Sequence, residues 1–162
     1  MPTTKRAEPD ACNLLDTDHR NVKKMFSAYE ELTKSRAASA TQKRRDLATE
    51  ICNELTVHAQ IEEEIFYPAL RAVLKETDTI AEAEVEHQSA KDLIAQIEGM
   101  GEADEMFDAK VTVLGEYIDH HVKEERGEIF PKARASKVDL VAMREQLETR
   151  KAELLEEHMA AA

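Results

Sequence analysis

Apolar residues recur at steps of three and four along five segments of this chain, which is the spacing of one face of an α-helix. The first segment runs from about Asp10, a candidate N-cap, to Arg36. His19 occupies the gap in its apolar stripe between Leu15 and Val22. The pattern therefore predicts a helix that turns a histidine towards the core. The stripe consists of Cys12, Leu15, Val22, Phe26 and Tyr29.

The second and third predicted helices also turn a histidine inwards. The second starts near Thr41, and Pro68 should end or bend it. Its inward positions are Leu47, Ile51, Leu55, His58, Ile61, Glu62 and Ile65. The third begins after Asp78 and stops at Gly99 and Gly101. Its stripe consists of Ile80, Ala83, His87, Ala90, Ile94 and Ile97.

The fourth predicted helix opens near Asp104, and Pro131 interrupts it. Its stripe consists of Phe107, Val111, Leu114, Ile118, His121, Glu125 and Ile129. The fifth, from about Lys137, has no metal-type spacing and should lie across the other helices or form a dimer contact. It is amphipathic through Leu140, Met143, Leu147 and Leu154.

Short links between the first four segments favour antiparallel neighbours. The expected fold is all-α, an up-down-up-down antiparallel four-helix bundle with an additional C-terminal helix. We expect a flexible N-terminus over residues 1–9, the bundle over residues 10–135, and a C-terminal amphipathic helix and tail over residues 136–162. Only four Gly and four Pro in 162 residues agree with long helices.

Composition and charge narrow the classes of function. No apolar run approaches the roughly 20 residues of a membrane span, and the N-terminus has no apolar stretch typical of a secretory signal. Cys12 and Cys52 are far apart and should be reduced, so a cytoplasmic location is the expectation. The net charge of −12 argues against a nucleic-acid partner, because nucleic-acid phosphates are also negative.

The chain repeats one motif. Both His58-x3-Glu62 and His121-x3-Glu125 lead, after five further residues, into a proline. Each motif follows a helix with one inward histidine, His19 or His87. The chain therefore reads as two copies of one helical hairpin, related by an approximate two-fold axis.

Spacing predicts that these six side chains meet in one layer. His19 and His87 each follow a helix-start residue by nine positions, and the other two histidines each precede a proline by ten. At about 1.5 Å per residue, all four lie roughly 15 Å from one end of the bundle. Six buried polar groups are costly unless a cation satisfies them together, and imidazoles and carboxylates suit iron, manganese or zinc.

These residues resemble the hemerythrin and hemerythrin-like (HHE cation-binding) domain family. The motif reads Asp18-His19-Arg20, His58-x3-Glu62 before FYP, Glu86-His87, and HHxxEE from His120 to Glu125 before IFP. The resemblance implies a four-helix bundle with two non-haem iron ions, bridged by Glu62 and Glu125, in preference to zinc or manganese. The metal ligands would be His19, His58, Glu62, His87, His121 and Glu125.

The chain also departs from the oxygen-carrying members of that family. Lys91 stands where they place a second histidine on the third helix, and the fourth helix has an HxxxE spacing where they usually carry Asp five residues after its histidine. Glu54 and Tyr117 should face the core as pocket residues or extra ligands, while His120 should be exposed or lie behind the ligands. Two further expectations are that Phe66 and Tyr67 plug the core and that Glu63 and Glu64 are solvated.

Three functions follow as hypotheses. The leading one is a di-iron protein that binds or reacts with dioxygen, nitric oxide or peroxide. The second is a peroxidase- or catalase-like enzyme or an oxidase. The third is a regulatory module that senses iron or oxygen without turnover. A monomer or a homodimer is expected.

Overall fold

The computed structural model describes residues 8–160, and the first seven residues of the expected flexible N-terminus lie outside that range. Within it the protein is entirely helical, without strands. The helices are α1 (Ala11–Thr33), α2 (Ala40–Ile61), α3 (Tyr67–Val73), α4 (Asp78–Glu98), α5 (Glu105–Glu124), α6 (Phe130–Ala135) and α7 (Leu140–Ala160). Two π-helical turns, Glu62–Phe66 and Glu125–Ile129, join α2 to α3 and α5 to α6. The predicted all-α class is confirmed.

Two of the predicted helix starts have side-chain caps. The Asp10 carboxylate accepts a hydrogen bond from the backbone N–H of Asn13 at 3.0 Å, and the Asn13 side chain accepts one from the backbone N–H of Asp10 at 2.9 Å. The Asp104 carboxylate likewise accepts from the backbone N–H of Phe107 at 2.9 Å. These caps satisfy backbone donors that have no partner inside the helix. They fix where α1 and α5 begin.

Pro68 and Pro131 do not end their helices. Each follows a π-helical turn in which a backbone N–H bonds five residues back, from Tyr67 to Glu62 and from Phe130 to Glu125. A proline lacks the backbone N–H of an ordinary helical bond, and the wider turn absorbs that loss. Each proline then sits in the first turn of the next α-helix, where it is tolerated.

The bundle core has two apolar clusters with a polar layer between them. The first cluster includes Leu15, Ile61, Phe66, Leu70, Ile80 and Phe130. The second includes Val22, Ile51, Leu55, Ile94, Val111 and Leu114. On α1, His19 lies between Leu15 of the first cluster and Val22 of the second. On α2, on α4, and on α5 with its π-turn, a histidine likewise lies between residues of the two clusters.

Helix α7 completes the first cluster. It packs against α1, α2 and the first π-helical turn. Its buried side chains are Leu140, Met143, Leu147 and Leu154, the stripe expected from the sequence. Among residues 8–160, no helix combines the length and the hydropathy needed to cross a membrane.

Candidate metal centre

The polar layer contains four imidazoles and two carboxylates. Glu62 and Glu125 are fully buried, and the four histidines are between 5% and 7% exposed. Helices α1, α2, α4 and α5 each contribute one histidine, and each π-helical turn contributes one glutamate. The structure therefore brings together all six candidate ligands, His19, His58, Glu62, His87, His121 and Glu125.

The first group of ligand atoms joins the two hairpins. Nε2 of His19 lies 3.1 Å from Nε2 of His58 and 3.0 Å from Oε1 of Glu125. Nε2 of His58 lies 2.8 Å from Oε1 of Glu62. One atom from each of these four residues lies within 4.8 Å of the others.

The second group repeats this arrangement on α4 and α5. Nε2 of His87 and Nε2 of His121 are 3.1 Å apart. The His87 nitrogen lies 3.4 Å from Oε1 of Glu62, and the His121 nitrogen lies 3.5 Å from Oε1 of Glu125. Each glutamate thus contacts a histidine of its own hairpin and one of the opposite hairpin.

These contacts fit a pair of cations. Nitrogen and oxygen ligands about 2.1 Å from one ion lie roughly 3.0–3.4 Å from one another, close to the spacings observed. While the imidazole protons are on Nδ1, both Glu62 carboxylate oxygens and Oε1 of Glu125 are buried without a hydrogen-bond donor. Buried carboxylates without donors are costly, and an ion between them and the imidazoles would satisfy both.

A carboxylate stands behind every imidazole. Nδ1 of His58 lies 3.0 Å from Asp18 and Nδ1 of His121 lies 3.4 Å from Glu86. Two longer contacts, both 3.5 Å, join Nδ1 of His19 to Asp16 and Nδ1 of His87 to Glu63. At His58 and His121 the carboxylate holds the proton on Nδ1, which leaves the Nε2 lone pair for a metal, whereas Nδ1 of His19 and Nδ1 of His87 make no hydrogen bond.

The same carboxylates affect proton binding. Burial alone would lower the pKa of His58, but the charges of Glu62 and Asp18 outweigh it and raise that pKa to about 10. Burial likewise opposes the contacts of His121 with Glu125 and Glu86, which raise its pKa to about 11. Contacts with Glu62, His121 and His19 hold the pKa of Glu125 well below its usual range despite burial. Protons and metal ions therefore compete for these nitrogens.

Tyr67 is fully buried in the first apolar cluster, as expected of a core residue, and its hydroxyl also reaches the site. Its hydroxyl donates to Oε2 of Glu125 at 2.7 Å and lies 3.4 Å from Nε2 of His87. Residues five apart in an α-helix point about 140° apart, whereas the bond from Tyr67 to Glu62 in the π-turn aligns them. The matching position of the second hairpin is Phe130, whose ring stacks on His19 at 6.0 Å.

A comparison with known families identifies the domain. The model of the hemerythrin HHE cation-binding domain matches residues 10–133. The chain belongs to the hemerythrin HHE cation-binding domain family. The structure is also similar to a crystal structure of a hemerythrin HHE cation binding domain-containing protein from Mycobacterium kansasii. Their TM-score is 0.73 at 21% identity, over 90% of this chain and 87% of that chain, which shows the shared fold.

The chain is also similar to a longer protein. A curated relative from Nostoc sp., named DNA nickase, is 28% identical over 118 residues. The match covers 73% of this chain and 32% of the relative. This hemerythrin-like chain thus corresponds to about a third of that protein.

Several residues considered from the sequence lie outside the centre. Tyr117 is 48% exposed, so its expected position facing the core is wrong, because Ile118 takes the inward place one turn before His121. Glu54 is half-buried and belongs to neither group of ligand atoms. The side chain of His120 is 68% exposed and lies 3.1 Å from Glu124 at the surface. Its expected exposure is confirmed.

Lys91 and Glu63 form a pair at the edge of the centre. Nζ of Lys91 lies 2.5 Å from Oε1 of Glu63, and the other oxygen of Glu63 is the one that faces His87. Glu63 is therefore not simply solvated. The sequence did not show this contact because it joins the first π-turn to α4, across two hairpins.

A small cavity adjoins the four histidines of the candidate centre. Its volume is about 30 Å³, and all four ligand histidines line it. The apolar part of its wall consists of Val22, Leu55, Ala59, Ala90, Ile94, Ile118 and Val122. One water molecule needs roughly 10–15 Å³ by this measure, so the space suits a ligand of two or three atoms.

Proposed function

We propose that this protein holds a non-haem di-iron centre that binds or reacts with a small ligand, such as dioxygen, nitric oxide or peroxide. The observation that carries the proposal is the pair of buried carboxylates, each placed between histidines of both hairpins. The first ion would be held by His19 and His58 and the second by His87 and His121. Glu62 and Glu125 would bridge the two ions.

The identity of the metal rests on the ligand chemistry. The set has imidazoles and carboxylates with no cysteine, because Cys12 and Cys52 are buried in the apolar clusters. Iron, manganese and zinc all accept such ligands, and iron is favoured by the family's pattern. Bound iron would supply redox chemistry and an open coordination position for a small molecule.

The protein's own side chains would select and hold the ligand. The cavity wall is almost wholly apolar, which favours a neutral diatomic over a charged or bulky molecule. The carboxylates behind the imidazoles would fix the orientation of each ring. Burial and the charges of Glu62 and Glu125 raise the pKa of Tyr67, so its hydroxyl stays a neutral donor towards Glu125.

Metal loading tests the proposal. Anaerobic addition of Fe²⁺ should give two irons per chain, and exposure to oxygen should produce charge-transfer absorption in the near ultraviolet. Glu62→Gln should reduce the iron content to one or less. The matched control is Glu64→Gln, which changes an exposed neighbour that bonds Arg150, and it should keep two irons. A wild-type chain that takes up no iron after loading refutes the proposal.

A measurement of turnover distinguishes the enzyme hypothesis from the regulatory-module hypothesis. An enzyme would consume peroxide steadily, and Glu62→Gln would abolish that consumption. The regulatory alternative is favoured by the way the centre ties together all four main helices, so that occupancy would order the bundle. In that case iron would raise the melting temperature and no peroxide would be consumed.

DNA nicking is not part of this proposal. The relative named for that activity is about three times as long, and the net charge of −12 opposes contact with DNA phosphates. We expect the iron-loaded chain to leave supercoiled plasmid intact at low salt.

A further inference from the structure

Lys151 interrupts the apolar stripe of α7. A step of four from Leu147 reaches Lys151, and a further step of three reaches Leu154. Both leucines are buried in the seam against the bundle. A lysine at such a position needs a specific partner, because an unpaired ammonium is costly there. Its side chain is 25% exposed, so the charged end turns partly inwards.

The partner of Lys151 is the carboxylate that supports His58. Nζ of Lys151 lies 2.5 Å from Oδ1 of Asp18, and Oδ2 of Asp18 lies 3.0 Å from Nδ1 of His58. Asp18 is only 4% exposed. Among residues 8–160, no other lysine or arginine forms a salt bridge with Asp18. The ammonium thus fixes one oxygen of Asp18 while the imidazole engages the other.

No residue of α7 makes a matching contact with the second hairpin, where Lys91 of α4 is the lysine that holds a carboxylate, Glu63, behind His87. Val57 and Ile61, which precede His58 and Glu62, are fully buried in the cluster that α7 completes. At the matching positions the second hairpin carries His120 and Glu124, which are polar and face the surface. Glu86, the carboxylate behind His121, forms no salt bridge with a lysine or arginine of residues 8–160.

We infer that α7 is part of the metal centre and that Lys151 is a positioning residue for His58, acting through Asp18. The inference rests on the proposed two-cation site. The family match ends at residue 133 and α7 begins at Leu140, so the lysine that holds Asp18 comes from outside the matched domain. Lys151 holds Asp18 under Nδ1 of His58, which keeps the Nε2 atom aimed at the ligands of the first group.

The inference predicts that the two cation sites respond differently to one substitution. Lys151→Met keeps an unbranched side chain that suits the apolar stripe but removes the ammonium. In titrations of Zn²⁺ against a competing chelator, one of two binding steps should weaken by about 10- to 100-fold. The step that belongs to His87 and His121 should not change. Lys151→Arg should restore most of the lost affinity.

Arg150→Met is the matched control. Arg150 directly precedes Lys151 in α7 and bonds Glu64 at 2.8 Å, so it anchors the helix without touching a candidate ligand or its support. It should leave both Zn²⁺ steps unchanged. In an Asp18→Asn background, Lys151→Met should have no further effect, because the two residues act in series. Equal losses in the Arg150 and Lys151 variants, or two unchanged steps in Lys151→Met, overturn the inference.

A measurement without metal separates this inference from the proposed function. The Nδ1–H proton of His58 should give a protected NMR resonance in the metal-free protein, and exchange should broaden it in Lys151→Met. The same resonance should stay sharp in Arg150→Met. If wild type binds no pair of cations, the proposed function fails, and this resonance still decides whether Lys151 positions His58. Equal protection in all three proteins contradicts the positioning role.

Discussion

Each candidate ligand histidine has a different neighbour at each ring nitrogen. The Nε2 atoms meet the two central glutamates, and the Nδ1 atoms face Asp16, Asp18, Glu63 and Glu86. Three of these four carboxylates are held in turn by a lysine or an arginine. Hydrogen bonds at Nδ1 therefore orient His58 and His121 before any ligand arrives, which reduces the reorganisation that binding requires.

At the residue scale we predict a specific role for the Tyr67 hydroxyl. Tyr67→Phe removes its hydrogen bond to the buried Glu125 carboxylate. The metal-free protein should lose about 1.5–3 kcal/mol of unfolding free energy in urea, the usual value for a hydrogen bond to a charged group. The near-ultraviolet spectrum of the iron-loaded protein should also shift, because the hydroxyl contacts one of the proposed bridging groups.

Tyr29→Phe is the control for this prediction. Its hydroxyl donates to Asp108 at 2.6 Å, away from the six candidate ligands. It should lower stability without altering the spectrum. If Tyr67→Phe leaves the spectrum of the iron-loaded protein unchanged, the hydroxyl has no part in the centre.

Sequence spacing was sufficient to predict which histidines point inwards, but not which carboxylates contact their Nδ1 atoms. His19 stands at a gap in an apolar stripe, and a single helix reveals such a gap. Asp18, although next to His19 in the chain, supports His58 on another helix. Contacts that cross between helices depend on the relative rotation of the helices, which the pattern of one helix does not contain.

At the scale of helical elements, the π-turns position the two candidate ligand glutamates. Each turn begins at Glu62 or Glu125 and ends just before an aromatic residue and a proline. The sequence showed the two prolines, and from them we expected the helices to end or bend. The π-turn was missed because it depends on backbone bonds five residues apart, for which side-chain periodicity gives no signal.

We predict that two glycines on one long helix respond differently to alanine. Gly127 lies within the second π-turn, where an added Cβ would meet nothing within 4 Å. Gly127→Ala should therefore raise the unfolding free energy by roughly 0.5–1 kcal/mol through the reduced entropy of the unfolded chain. At Gly115 the added Cβ would lie 3.2 Å from Cδ1 of Phe26.

The increase in unfolding free energy should thus be smaller or absent in Gly115→Ala. Urea unfolding of both variants without metal measures the difference. Iron content should be unchanged in Gly127→Ala, because its side chain would point to open space. A Gly127→Ala variant that is less stable than wild type contradicts the description of that turn.

At the scale of the whole molecule, the centre joins two hairpins that each bury an apolar face. The duplicated H-x3-E-x5-P motif and the short links were enough to predict an antiparallel bundle. The role of α7 could not be predicted in this way, since the pattern of an amphipathic helix does not indicate which surface the helix covers. Helix α7 packs on the first hairpin because Val57 and Ile61 present apolar side chains there, whereas the matching positions of the second hairpin are polar.

The raised pKa values predict how the melting temperature of the metal-free protein depends on pH. His58 and His121 have pKa values of about 10 and 11 in the folded state, above roughly 6.5 for an unfolded chain. Their proton binding stabilises the fold fully below pH 6.5, and this stabilisation is lost as the pH rises towards 10. In chelator, the melting temperature should therefore fall between pH 6.5 and 10.

The metal-loaded protein should not show this fall, because a cation replaces the protons. Calorimetry with and without Zn²⁺ across this pH range measures both curves. His121→Gln should reduce the slope in chelator, whereas His120→Gln changes an exposed neighbour and should preserve it. A melting temperature in chelator that stays level from pH 6.5 to 10 contradicts the assignment.

The crossed contacts of the two glutamates set an order for biosynthesis. Glu62 reaches His87, and Glu125 reaches His19, so neither hairpin contains a whole set of ligands. A nascent chain on the ribosome cannot present either pocket until the segment around Glu125 has emerged and the two halves have docked. Incorporation of the proposed metal ions would thereby be deferred to a late stage of maturation, when the newly made polypeptide has already acquired its tertiary structure.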